Sequence, residues 1–195
     1  MHAFDYLVTF FSFVYAIAIA HILATIGDMV VASRRLRFSW LNAGWMLIIL
    51  LAVIAWWLGL WDLRRQRVWP TVTIAFFFCA ACGLYLLARI ASPHIPATDE
   101  VDLPAFHRRE GPKYMIGFGA FSLFTIATNT WFGLESGATS SSGSWFAQNA
   151  AVIPMMLASL LAGFVPDRRV QIGCILVIFA MWGWYFATLQ GALTG

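Results

Sequence analysis

Residues 4–33 read FDYLVTFFSFVYAIAIAHILATIGDMVVAS, and after Asp5 only His21 and Asp28 in this run are groups that gain or lose charge near neutral pH. The stretch exceeds the ~20 apolar residues that carry a helix across a bilayer core. His21 and Asp28 are seven positions apart and fall on one helical stripe. An ionisable side chain in hydrocarbon costs ~3 kcal/mol or more, so both need partners or a function.

Five further apolar stretches follow, so the spans are expected at 4–33, 38–61, 69–91, 114–134, 146–165 and 170–189. Composition agrees: 61% hydrophobic against 11% charged residues leaves too few charges to solvate a globular surface of 195 residues. The expected fold is all-α, a polytopic membrane bundle of six transmembrane helices forming a single domain over residues 1–195. The first span has no basic leader and is too long for a cleaved signal, so it is expected to be retained.

Trp40 and Trp61 flank a charge-free run and would lie ~31 Å apart on a helix, matching two interfacial belts. Trp45, Trp56, Trp57, Trp69, Trp182 and Trp184 are expected to reinforce such belts. Arg34, Arg35, Arg37, Arg89, Arg108, Arg109, Lys113, Arg168 and Arg169 gather on one side of this arrangement. The positive-inside rule places that side in the cytoplasm and both termini outside, in the periplasm of a bacterial inner membrane. Arg64, Arg65 and Arg67 fall on the outer face, where Asp5, Asp62 and Glu135 can neutralise them.

Residues 90–113 carry Pro93, Pro96, Pro104 and Pro112 and read as an extended cytoplasmic linker. Its His94 and His107 lack further ligands at metal spacing, so they read as solvated and no metal site is expected. The outer connector ESGATSSSGS over residues 135–144 is Gly/Ser-rich.

Within the first span, Ala16, Ala20 and Ala24 form a small-residue ridge that lets another backbone approach, which predicts a central place in the bundle. His21, Thr25 and Asp28 run beside it, and Arg89 at the end of the third span is the expected ion-pair partner of Asp28. The fourth span concentrates Ser122, Thr125, Thr128, Asn129 and Thr130, of which Ser122, Thr125 and Asn129 share a face. That face with His21 and Asp28 could line a polar pathway. The fifth span adds Gln148 and Asn149 and an internal Pro154 expected to kink it.

Cys79 and Cys82 spell C-A-A-C, the spacing of dithiol oxidoreductases such as the quinone-linked vitamin K epoxide reductase type. No second cysteine pair is present to relay electrons, which ranks this redox reading third. The chain has no G-x-S-x-G, H-E-x-x-H, Walker or dinucleotide-binding signature, so no catalytic residue is assigned and no cofactor is expected. A net charge of +3 reflects membrane orientation and gives no basic groove for nucleic acid.

The segments FDYLVTFFSF, WLNAGW, AWWLGLWDLR, Trp69 with Pro70, and LYLLARIASP, together with His21, resemble a group of uncharacterised small bacterial multi-pass membrane proteins. The resemblance covers about the first half of the chain, implies an inner-membrane location, and implies no activity. Two functions remain in view: a small permease or channel-like protein using His21, Thr25, Asp28, Ser122, Thr125 and Asn129, or a non-catalytic subunit or sensor that binds a partner through its helices. The lipid bilayer and a second copy or another membrane protein are the expected partners.

Overall fold

The computed structural model describes residues 3–65, 69–96, 99–135 and 142–193, and the fold is all-α. Its helices are α1 (Ala3–Val31), α2 (Trp40–Gly59), α3 (Thr71–Ala91), α4 (Leu103–Glu135), α5 (Ser142–Asn149), α6 (Val152–Phe164) and α7 (Arg168–Leu193). The chain divides into two compact units, Met1–Gly111 and Pro112–Gly195. Among the described residues four helical stretches are long and apolar enough to cross a membrane: Phe4–Val31, Trp40–Gly59, Thr71–Ala91 and Arg168–Thr188. α5 and α6 add a fifth if that bent pair is one span. The expected fourth span lies within α4 and is not among them, because Ser122, Thr125, Thr128, Asn129 and Thr130 lower its mean hydropathy.

In the first unit α1, α2 and α3 pack against one another. Ring contacts fix the register of α1 beside α3: Phe4 with Trp69, Phe11 with Phe77, and Phe10 with Phe78. Numbers rise together in these pairs, so the two helices run parallel, offset by 65–68 residues. The core face of α1 is Phe11, Tyr15, Ala18, Ile22, Thr25 and Met29, continued just past its end by Ala32, all buried at alternating spacings of three and four. α2 starts where the Ser39 hydroxyl accepts the Asn42 N–H at 3.3 Å, an N-cap.

The stretch expected as an extended linker is largely structured. Val101–Asp102 pairs in parallel with Leu36–Arg37, and the helix already begins at Leu103. Two local causes explain that start: the Asp102 carboxylate accepts the Ala105 N–H at 2.8 Å, and Pro104 falls in the first turn, where its missing donor costs nothing. The Arg37 guanidinium meets the Asp102 carboxylate at 2.6 Å, and Arg35 donates to the carbonyls of Pro96 at 2.7 Å and Asp99 at 3.0 Å. His107, expected in solvent, is buried on α4, whereas His94 is exposed.

In the second unit α4 and α6 cross closely. A β-carbon on Gly119 would come within 2.6 Å of Leu160, and one on Gly163 within 2.7 Å of Ile116. Ser159 and Gly163 are four apart on α6, the small-residue spacing that brings membrane helices together. The kink expected from Pro154 is a 56° bend between α5 and α6 at residues 150 and 151. It falls where the proline ring would strike the carbonyl four residues back. The Asp167 carboxylate then caps α7, accepting from the N–H groups of Arg169 at 2.7 Å and Val170 at 3.1 Å.

The expected belt tryptophans differ in burial, with Trp56 and Trp69 half-buried. Trp40, Trp57, Trp61 and Trp184 are exposed, as belt residues should be, while Trp45 and Trp182 are buried and serve packing. At the expected outer rim Arg64 donates to the Trp61 carbonyl at 3.0 Å and stacks over its ring at 5.1 Å. Arg67 lies outside the described residues, as do the side chains of Asp62 and Arg65 and residues 136–141 of the Gly/Ser-rich connector.

Candidate functional site

Helix α1 carries three distinct faces. Opposite the buried Phe11–Met29 stripe, the ridge Ala16, Ala20 and Ala24 is exposed, and nothing lies within 4 Å of where a Gly27 β-carbon would stand. Within the first unit the ridge expected at a bundle centre is therefore turned away from α2 and α3. The large aromatic face won the core because α2 and α3 present Trp56 and Phe77, rings that fill space an alanine ridge would leave empty. Asp28 continues the row Ala20, Ala24 at a spacing of four and is exposed. His21 sits between that row and the core, half-buried, with a buried Nε2 that has no hydrogen-bond partner among the described residues. Thr25 is buried and donates to the His21 carbonyl at 3.0 Å.

The expected ion pair between Asp28 and Arg89 does not form. The parallel register puts Arg89 level with residues 21–24 of α1, and Arg89 is the charged group whose field His21 feels. Asp28 lies about a turn or more beyond, ~6–10 Å further along the axis, past the end of α3 at Ala91. Ion pairs elsewhere in the described residues include Arg37 with Asp102 and Arg109 with Glu110.

On α4 the hydroxyls are turned back onto their own helix. Ser122, Thr125, Thr128 and Thr130 donate to the carbonyls of Phe118, Phe121, Phe124 and Ile126 at 2.9, 3.0, 2.9 and 2.7 Å. This is the four-residue back-bond that Ser and Thr make in helices. Asn129 donates to the Asn149 side-chain oxygen at 3.1 Å, Asn149 donates to the Trp145 carbonyl at 3.0 Å, and the Trp145 indole donates to the Thr130 hydroxyl at 2.7 Å. Asn149 is fully buried, so these contacts form a closed polar knot joining the end of α4 to α5. The sequence alone shows the polar residues of both helices but not that they satisfy one another.

Cys79 is exposed and Cys82 half-buried on α3, both as free thiols, and Cys174 is a buried free thiol on α7. Among the described residues no three His, Cys, Asp or Glu side chains are placed to hold a metal ion. Asn42 is a polar centre that the residue pattern did not single out. It is fully buried on α2 and donates from Nδ2 to the Ala91 carbonyl at 3.1 Å, satisfying the end of α3. A lone amide in an apolar helix was its only visible signal.

Comparison of the chain with protein-family models, curated proteins and solved structures finds no match.

Proposed function

We propose that this protein is a non-catalytic membrane subunit whose first helix docks a transmembrane helix of another protein. The observation that carries this reading is the exposed Ala16, Ala20, Ala24 and Gly27 ridge with an exposed carboxylate, Asp28, at its end and no ion pair on that carboxylate among the described residues. Small side chains permit close backbone approach, and a carboxylate within a span calls for a cation. The matching partner is a helix with a Lys or Arg at the depth of Asp28. The closed hydrogen bonding of α4 supports the same reading, since its hydroxyl protons are engaged by backbone carbonyls.

A photo-reactive residue at Ala20 in native membranes tests this. It should cross-link to one discrete protein, whereas the same residue at Leu176, on an exposed position of α7, should not. Ala20→Leu with Ala24→Leu, and separately Asp28→Asn, should each lower recovery of that protein at least tenfold, ~1.4 kcal/mol of affinity, with the unfolding midpoint retained. Equal labelling from Ala20 and Leu176 would defeat the proposal.

The permease reading is favoured by one observation, the buried His21 Nε2 without a hydrogen-bond partner. Flux in proteoliposomes that is pH-dependent and lost in His21→Phe would make transport the function instead.

The same proposal places the chain in a bacterial inner membrane with six crossings and both termini outside. The 33 residues of α4 make a helix ~50 Å long, of which the stretch 114–134 supplies ~31 Å, enough for a crossing. Reporters active only in the cytoplasm should work when inserted beside Arg35, Asp102 or Arg168 and fail at Gly195, which lies outside the described residues. A cytoplasmic C-terminus in every molecule would reverse this sidedness.

A further inference from the structure

Arg89 is exposed near the end of α3, and it stands beside the alanine ridge of α1. The stacked rings of Phe10 and Phe78, 6.4 Å between centroids and both partly exposed, mark the open edge of the α1–α3 seam. Eleven residues make about three helical turns, so a step of eleven returns each helix to that edge. On α1 the step leads from Phe10 to His21, and on α3 from Phe78 to Arg89. Asp28 follows His21 seven residues later on the same stripe. A helix seated on Ala20 and Ala24 therefore has Arg89 and Asp28 along one flank.

Both charges lack a counter-ion. Among the described residues no carboxylate pairs with Arg89 and no cation pairs with Asp28. His21, the side chain level with Arg89, is itself a base and cannot neutralise a guanidinium. The register fixes the order of the two charges: Arg89 is level with residues 21–24, and Asp28 lies ~6–10 Å nearer the Arg34 end of α1. Two opposite charges in this order call for the complementary two on whatever covers them.

A second copy of this chain does not supply them. Copies related by an axis along the bilayer normal keep every residue at its own depth, which sets Asp28 level with Asp28. Within the candidate spans of the described residues the other carboxylate is Asp5, at the far end of α1, so no acid arrives level with Arg89.

We propose that the partner helix carries an acidic side chain against Arg89 and a basic one against Asp28, the base about four to seven residues nearer the Arg34 end. This rests on the docking reading and adds to it the acid, the order and the spacing.

The test uses the full chain in native membranes with the photo-reactive residue at Ala20, and the captured helix is sequenced around the cross-link by mass spectrometry. It should contain an Asp or Glu and a Lys or Arg in that order and spacing, a result that requires no variant. Arg89→Gln, a change at an exposed position, should lower capture roughly tenfold with the unfolding midpoint retained. Capture by the Arg89→Glu protein should fall further, and should return to within about threefold of the original level when the partner's acid is changed to Lys. Loss of packing cannot produce that rescue. A captured helix with a base opposite Asp28 and no acid, full capture by the Arg89→Gln protein, or no rescue by the reversed pair would overturn this inference and leave the docking reading standing. Absence of any discrete cross-link from Ala20 would defeat the docking reading itself, and this inference with it.

Discussion

Gly163→Val is expected to be the most damaging small substitution in the second unit. Its first added carbon would stand 2.7 Å from Ile116 Cγ1, 3.3 Å from the Ile116 backbone nitrogen and 3.4 Å from Met115 Cβ. Backbone cannot step aside as a side-chain tip can, so α4 and α6 must separate. Overpacking of this kind costs ~1–3 kcal/mol, and Gly119→Leu, facing Leu160 and Ser159, should fall in the same range. Gly173 and Gly183 on α7 have nothing within 4 Å and serve as controls. Changed to alanine, each should be neutral or gain ~0.5–1 kcal/mol from reduced backbone freedom. Thermal unfolding in mild detergent reads all four. A Gly163→Val protein as stable as the controls would contradict the close α4–α6 crossing.

The second large effect is expected at Asn42. Asn42→Leu removes the donor from the Ala91 carbonyl while keeping the site filled, and an orphaned buried acceptor costs ~1–3 kcal/mol. Asn42→Asp should cost more at neutral pH, although its shape is nearly unchanged. A carboxylate oxygen then faces the Ala91 carbonyl where an N–H stood, and a buried charge goes uncompensated. The diagnostic result is the order of unfolding midpoints: unmodified protein highest, then Asn42→Leu, then Asn42→Asp. An Asn42→Asp protein as stable as the leucine variant would mean that the carboxyl is protonated and donates to the Ala91 carbonyl, or that water reaches this position.

The helical class was legible from hydropathy because lipid-compatible composition leaves few alternatives. The bend before Pro154 was legible too, since a missing N–H and a ring clash are local. The burial of α1 was not. Both the alanine ridge and the Phe11–Met29 stripe have helical spacing, and only the rings on α2 and α3 decide which face is covered. The Asp28–Arg89 pairing failed for a related reason: helix ends were aligned by their flanking charges, whereas ring packing shifts α3 so that Arg89 stands near His21. In residues 90–113 four prolines outweighed the Asp102 and Pro104 pair, which marks a helix start. That the α4 hydroxyls bond back to their own helix was not legible either, because hydroxyl direction is a torsional choice that spacing does not encode.

The short pairing of Leu36–Arg37 with Val101–Asp102 also sets a clock on biogenesis. Its two strands are 65 positions apart, and everything between them, α2 and α3 included, must be synthesised before the second strand exists. At cellular elongation rates of ~5–20 residues per second, Arg37 waits ~3–13 s for Asp102. During that interval α1, α2 and α3, as each is completed, have their side-chain packing and the hydrogen bonds of Trp57 to Ser12 and Asn42 to the Ala91 carbonyl to hold them. Arrival of residues 101 and 102 closes this large loop in one step, ties the end of α1 to the start of α4, and converts three inserted segments into a single cooperative unit.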